Sequence, residues 1–447
     1  MIKCNGMKIS VLGLGKSGIA CANLAILKGY KVFASDSGEE RSYKAMKLNK
    51  NVEVEFKKHS SKVLDSDIIV KSPGLPNELG ILQQARKKGI AILSELEFAL
   101  NFAKPKKIIA VTGTNGKTTT TTLIYKIIKN FYKNTFVAGN IGFPISEVVP
   151  KLNSKSILVL ELSSYQLEDS PFFRPDVSVS MNITCDHLKH HHTMLNYIKA
   201  KSNIFVNQKK QDYAIYNYND KYLKKSILKT VAKKFEFNNS STTNCIYYKD
   251  NNIYLKKGKR TIKLNPKINI PGKHNIDNIL ASVAASYIVG VKPYIIEKVI
   301  SKFKGVEHRI EFVTTINGVK YYNDSKGTNV DSTKVALESF DKNIQLILGG
   351  QDKGSSYKPL FKLIRKKVKN IFLIGEATNI IKKELKGATT MIECKTLDVA
   401  VKKIHSISKK NDIVLFSPAC ASFDQFNNFE HRGKVFKELV CNIKNNL

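Results

Sequence analysis

Two short loops carry the residue types best suited to chemistry. They are Gly13-Leu14-Gly15-Lys16-Ser17-Gly18 and Gly113-Thr114-Asn115-Gly116-Lys117-Thr118-Thr119. Each follows an apolar run that reads as a strand, "KISVLGLG" or "KIIAVTG", and precedes a helical pattern. Glycines allow a tight turn and close backbone approach, and a helix N-terminus favours an anion, so both loops suit phosphates. In the first, Asp36 closes the next strand, where a carboxylate can accept from a ribose or base. Taken alone, that loop predicts a dinucleotide-dependent oxidoreductase. The second departs from GxxxxGK[ST], because Val111 stands where the first glycine belongs. It keeps the working parts: a Gly-rich turn, Lys117 for phosphate oxygens and Thr118 for Mg²⁺. ATP use is the stronger of the two signals.

A triphosphate loop needs acidic or neutral ligands for its magnesium, and in open α/β sheets these stand at the C-terminal ends of neighbouring strands. "SILVLELSS" ends in Glu161, and "DVSVSMNITCDH" ends in Asp186-His187. A carboxylate after four apolar strand residues is expensive without a partner, which favours Glu161 as a ligand. The run "NITCDHLKHHHTM" packs His187, His190, His191 and His192 together. A zinc reading needs thiolates or the glutamate of HExxH, and Leu188 occupies that glutamate's position. The four histidines are therefore not read as a set: His187 is the expected ligand, and His190 to His192 are expected to be loop residues.

The elements that must position these groups fall into three segments with strand–helix alternation, which predicts parallel α/β sheets. The expected domains are 1–103, 104–305 and 306–447, with "NFAKPKK" (101–107) as the first linker. Residues 207–270 are rich in Lys, Asn and Tyr, carry short β-like runs such as "NIYLKKGKRTIKL", and read as a peripheral insertion rather than core. At 447 residues the chain is too long for one core. No run approaches eighteen apolar residues, and the N-terminus passes straight into a strand, so neither a membrane span nor a signal peptide is expected. Seven cysteines form no CxxC pair, which suits a reducing compartment, and the cytoplasm is the expected location. The formal charge of +36 invites a nucleic-acid reading. Only seven of the 73 basic residues are arginine, however, and the lysines are spread over the whole chain. Phosphate clamps and base readers favour arginine, so no nucleic-acid partner is expected.

With these runs in view, the chain resembles the Mur ligase family, ATP-dependent amide-bond ligases of peptidoglycan precursor synthesis. The resemblance is carried by residues 113–119, "ELSSYQLE" (161–168), "NITCDH" (182–187), "PGKHNIDNILAS" (271–282), "HRIE" (308–311) and "NDSKGTN" (323–329). "NDSKGTN", "GGQDKGSS" (349–356) and "SPACASFDQFNNFEHRG" (417–433) are similar to the members that add D-glutamate to UDP-N-acetylmuramoyl-L-alanine. The fold this implies is a Rossmann-like N-terminal domain for the UDP substrate, a P-loop ATPase-type central domain and a Rossmann-like C-terminal domain for the amino acid. The first loop then holds a uridine diphosphate instead of a dinucleotide.

The resemblance also implies roles. Gly15, Lys16, Ser17, Asp36, Ser37, Ser72, Gly74, Asn140, Ser163 and Gln166 would line the UDP-substrate site. Gly113, Thr114, Asn115, Gly116, Lys117, Thr118 and Thr119 would hold the phosphates of ATP, with Asn275 and Asn278 at the adenine. Arg309, Asp324 and Lys326 would serve γ-phosphate and ribose from the C-terminal domain. Two Mg²⁺ ions are implied, one on Thr118 and Glu161 and the second on His187 and Lys201, the latter carbamylated by CO₂. Lys117, Asn140, His187 and Lys201 are the implied catalytic set. Lys199 is a competing position for the modified lysine, with a poorer spacing from His187. D-Glutamate would meet Thr328, Lys353 and Ser422, with Phe423 and Phe429 as walls. Lys189 stands where many relatives carry an acidic residue, and is expected to point outward. A monomer binding only small molecules, with no membrane partner, completes the expectation.

Overall fold

The computed structural model describes residues 6–39 and 47–445, and the chain is α/β throughout. Cys4 lies outside the described residues. The first sheet holds β1 (Lys8–Leu12), β2 (Lys31–Asp36), β3 (Glu53–Phe56), β4 (Ile68–Lys71) and β5 (Ala91–Ser94). All are parallel, in the order β3-β2-β1-β4-β5. The strand order, not the strand direction, reverses between β1 and β4, and this is the crevice where such sheets bind ligands. Both Gly13 and Ser72 follow these two strands directly.

The second sheet has β6 (Lys107–Thr112), β7 (Thr135–Gly139), β8 (Ile157–Glu161) and β9 (Val177–Ser180) at its core. It continues through β10 (Tyr213–Asn217), β11 (Lys233–Phe237), β12 (Asn244–Lys249), β13 (Asn252–Lys257) and β14 (Arg260–Leu264). The order is β14-β13-β12-β11-β10-β9-β6-β8-β7, and β13 alone runs antiparallel to its neighbours. Every residue of β8 is buried, as expected of a parallel strand covered on both faces. The reading of residues 207–270 as a peripheral insertion is corrected here, because they supply five of the nine strands. Lys233, Lys234 and Lys249 are exposed, while Ile215, Phe235, Phe237, Cys245, Ile246, Ile253 and Leu255 are buried.

One apolar cluster runs from the first sheet to the second through the helices Lys16–Leu27, Glu95–Leu100 and Ile145–Val148. Polar contacts pin the same boundary. The Ser146 amide donates to Glu95 Oε1 (2.8 Å), Ser94 and Ser170 share a hydrogen bond (2.7 Å), and the buried Lys71 ammonium pairs with Asp169 (2.7 Å). The third sheet holds β15 (Glu311–Ile316), β16 (Val319–Asn323), β17 (Ile344–Gly349), β18 (Val368–Ile374), β19 (Thr390–Lys395) and β20 (Ile413–Phe416). Its order is β15-β16-β20-β17-β18-β19, with β15 antiparallel at the edge. By compactness the chain divides into two units: Met1–Lys267 with Ile276–Ser301, and Ile268–Asn275 with Lys302–Leu447.

Candidate active site

The first loop is clamped by side chains from the ends of the two neighbouring strands. Gly13 has φ +84°, and a methyl there would strike Ser72, so glycine is required. Asp36 is buried, and its carboxylate accepts from the Leu14 amide (2.5 Å) and the Gly38 amide (2.7 Å). Ser72 Oγ donates to the Gly13 carbonyl (2.8 Å). Gly15, Lys16, Ser37 and Gly74 are exposed around this rigid turn, and Ser17 is half-buried. The helix Lys16–Leu27 begins here, so its free amides face the same opening.

The second loop is stitched to the strand beside it. Thr114 N donates to Asn182 O (2.9 Å), Asn115 N to Asn182 Oδ1 (2.8 Å), and Thr184 N to Thr114 Oγ1 (3.0 Å). Gly113 (φ +150°) and Gly116 (φ +85°) take conformations closed to other residues, and a methyl on Gly116 would meet Asn278 Oδ1. The helix Lys117–Lys129 follows, with Thr118 and Thr119 buried in its first turn. Lys117 Nζ folds back to donate to Gly113 O (2.8 Å) and Thr114 O (2.9 Å).

Lys201 reaches the same carbonyl, donating to Gly113 O at 2.8 Å from the helix Met194–Val206. It is only 2% exposed, whereas Lys199 is exposed. Burial, reinforced by the Lys117 ammonium, pushes the Lys201 amine well below the ordinary lysine range. The ring of Tyr197 lies 4.8 Å from its nitrogen, and the Tyr197 hydroxyl shares a hydrogen bond with Thr114 Oγ1 (3.0 Å).

Glu161 ends β8 beside this loop and is 1% exposed. Its Oε1 accepts from Asn140 Nδ2 (2.8 Å) and Thr118 Oγ1 (3.4 Å), while its buried Oε2 has no hydrogen-bond partner. A buried carboxylate oxygen without a partner is costly, and a hard cation held jointly with the Thr118 hydroxyl would satisfy it. The residues present therefore fit a magnesium ion.

His187 has a left-handed backbone (φ 54°), and its side chain is close to half exposed. The Tyr165 hydroxyl lies 3.2 Å from its Nδ1, and Asp186 lies 3.4 Å from its Nε2. Desolvation holds this imidazole below the usual histidine value, against the pull of Asp186. Lys189 is exposed, as expected. The reading of His190 to His192 as loop residues is corrected: Leu188–His191 is a short helix, and His191 is buried against Ser164 (2.9 Å). Glu168 from a preceding helix holds this turn through His190 (2.7 Å).

Several expected ligand-binding residues have local partners. Ser163 and Gln166 form the capping box of the helix Ser164–Glu168. Asn278 accepts from Thr120 Oγ1 (3.2 Å), and Asn275 donates to Pro271 O (2.5 Å). In the C-terminal unit Asp324 is buried, pushed up to about 6 by desolvation, and bonded to Ser417 Oγ (2.7 Å) and the Ile310 amide (3.1 Å). Each of its oxygens accepts one hydrogen bond inside the domain, beside the turn that carries Lys326. Arg309 and Thr328 are half-buried, Lys353 is exposed and Ser422 is buried. Phe423 is 67% exposed, so it is not core, and Phe429 packs near His308 (6.3 Å between centroids) and the Lys326 ammonium (5.7 Å). The buried Arg432 binds Ser325 Oγ (3.0 Å) and two backbone carbonyls of the 420–421 turn.

Sequence reasoning missed Asn182, Tyr197, Glu168 and Arg432. Tyr197 was discoverable, because it stands four residues before Lys201 on one helix face. The others depend on pairings between distant segments.

Comparison with known proteins sets this geometry in context. Residues 7–94 match the MurD-like N-terminal domain of Mur ligases, 111–286 the Mur ligase middle domain, and 308–420 the Mur ligase glutamate ligase domain. A UDP-N-acetylmuramoylalanine–D-glutamate ligase of Elusimicrobium minutum is 42% identical, covering 99% of both chains. Proteins of the same description from Koribacter versatilis (42%, 97% of each chain) and Clostridioides difficile (39%, 98% and 99%) are also similar. Among solved structures, the UDP-N-acetylmuramate–alanine ligase of Thermotoga maritima shares the fold at a TM-score of 0.62 and 22% identity, covering 98% and 99%. A pseudomurein peptide ligase of Methanothermus fervidus does so at 0.60 and 20%, covering 98% and 100%.

Proposed function

The chain belongs to the Mur ligase family, and from that premise we propose that it joins D-glutamate to UDP-N-acetylmuramoyl-L-alanine, consuming ATP and releasing ADP and phosphate. One observation carries this reading at the level of chemistry. Two lysine amines converge on the Gly113 carbonyl while Glu161 keeps a buried oxygen unpaired. Such an arrangement is built for a polyanion and its cation together.

Joining a carboxylate to an amine requires activation. The acceptor carboxylate oxygen attacks the γ-phosphorus and ADP leaves, giving an acyl phosphate. The amine of D-glutamate then attacks the acyl carbon, loses a proton and expels phosphate. Lys117 draws the transferring phosphoryl oxygens, and the amides of residues 113–119 orient them. Magnesium supplies charge neutralisation; Thr118 and Glu161 would hold one ion, and His187 with Lys201 a second. For that second role Lys201 would add CO₂ to its neutral amine with loss of a proton, becoming a carbamate. Its burial and the nearby Lys117 ammonium both favour the neutral amine that this step needs.

The UDP moiety is assigned to the first loop, with Lys16 and Ser17 at the diphosphate and Asp36 and Ser37 at the uracil side; Ser72, Gly74, Asn140, Ser163 and Gln166 complete that assignment. Asn275, Asn278, Arg309, Asp324 and Lys326 are assigned to ATP, and Thr328, Lys353, Ser422, Phe423 and Phe429 to D-glutamate. Segments 1–103, 104–305 and 306–447 are proposed as the three functional domains, in a monomer acting in the cytoplasm. The direct test incubates the protein with ATP, Mg²⁺, UDP-N-acetylmuramoyl-L-alanine and single amino acids, following phosphate release and product mass. D-Glutamate should give an adduct; equal use of L-glutamate would overturn the assignment.

A further inference from the structure

Among the described residues, Glu168, His190 and His191 place one carboxylate oxygen and two imidazole nitrogens within 4.8 Å of one another. We propose that these three side chains form a zinc-type metal site, separate from the magnesium ligands of the proposed reaction. His190 Nε2 lies 2.7 Å from Glu168 Oε2, and His191 Nδ1 lies 3.6 Å from Glu168 Oε1. A tetrahedral ion with bonds near 2.0–2.2 Å spaces its ligands by about 3.4 Å, so small side-chain shifts suffice.

A second observation points into the same space. The His191 side chain is completely buried, and its Nδ1 has no hydrogen-bond partner. An imidazole nitrogen left unsatisfied in the interior is costly, and a ligated ion removes that cost. The other ring nitrogen, Nε2, meets Ser164 Oγ at 2.9 Å. As a donor there it would fix the tautomer that leaves Nδ1 free to ligate, the usual supporting arrangement for a metal-bound histidine. Two imidazoles and a carboxylate suit zinc, whereas magnesium prefers an all-oxygen shell. His190 is partly exposed, so the ion has a route in and a fourth position open to water.

The other such grouping among the described residues, Glu307, His308 and Glu311, does not fit. There the Lys437 ammonium pairs with both carboxylates (2.5 and 3.1 Å), filling the position a cation would take. The histidine run hides the first site because its third ligand is not local. Glu168 comes from the end of a different helix, so no HExxH spacing is needed.

The test strips the full-length protein with a chelator and titrates it with zinc chloride against a chromophoric competitor. Wild type and His187→Ala should each bind one equivalent. His190→Ala and Glu168→Gln should weaken binding about 10–100-fold while keeping the wild-type circular dichroism spectrum. X-ray absorption of the loaded protein should show nitrogen and oxygen neighbours without sulfur. The proposal is overturned if wild type takes up no stoichiometric zinc, or if His190→Ala binds as wild type does. Loss of binding in His187→Ala, or a sulfur neighbour from Cys185, would place the ion elsewhere and overturn it equally.

Discussion

The two glycine loops each follow a parallel strand and precede a helix, yet they treat charge in opposite ways. In the first, Asp36 accepts from the Leu14 and Gly38 amides and Ser72 donates to the Gly13 carbonyl, so both carboxylate oxygens of the buried Asp36 are satisfied. In the second, two amines share one carbonyl, and a buried carboxylate oxygen has no hydrogen bond. The first has its backbone already held by these bonds, which is what the proposed diphosphate cradle requires. The second holds like charges together at a cost that a triphosphate and its metal would relieve. The difference matches the proposed division of labour: preorganised polarity suits recognition, and unresolved charge suits catalysis.

The comparison breaks most visibly at Lys117. Lys117→Ala should lower ATP-dependent product formation by about 10²–10³-fold, the usual loss for a group acting on developing charge. Phosphate release under saturating substrates measures it; a change confined to KM would put Lys117 in the same class as the first loop. Lys201→Ala should cause a loss of similar order, on the order of 10²-fold. Here a short-chain carboxylate such as acetate should restore part of the rate, and Lys199→Ala should retain it. An unaffected Lys201→Ala would remove the carbamate from the mechanism. Asp36→Asn sharpens the other side. KM for the UDP substrate should rise about tenfold with kcat nearly unchanged, because an amide can no longer accept from both loop amides.

How much of this could be read from the chain follows the same division. Glu161 was legible because four apolar residues precede it in a strand that must be buried. Lys117 and Thr118 were legible from the loop motif, and the sheet positions followed from strand–helix alternation. Lys201 could be chosen from 66 lysines only through family resemblance, since its burial comes from a helix packing against a loop 88 residues earlier. The β pattern of "NIYLKKGKRTIKL" was legible, but its place in the second sheet was not, because that depends on pairing through β12 to β11 rather than on anything local. His191 was dismissed for a similar reason: a run of histidines says nothing about which one turns inward against Ser164. The clamps at Asp36 and Ser72 join segments whose pairing only the sheet order supplies.

The effect on stability is the most discriminating, because it sets the two loops in opposite directions on one scale. Lys201 has a folded-state pKa depressed below the ordinary lysine value of 10.5. Its destabilising contribution is therefore complete below the folded pKa and is relieved as pH rises toward 10.5. Lys201→Met keeps much of the side-chain volume and removes the amine. The Gly113 carbonyl remains satisfied, since Lys117 still donates to it. The variant should thus be more stable than wild type by about 1–4 kcal/mol at pH 6.5 in CO₂-free buffer, with the gap narrowing by pH 9.5. Asp36→Asn should instead lose about 1–3 kcal/mol, because a loop amide loses its acceptor. Thermal unfolding of the ligand-free proteins at the two pH values measures both. If Lys201→Met were destabilised, or its gap were independent of pH, the second loop would hold no unresolved charge, and the contrast between the loops would fail.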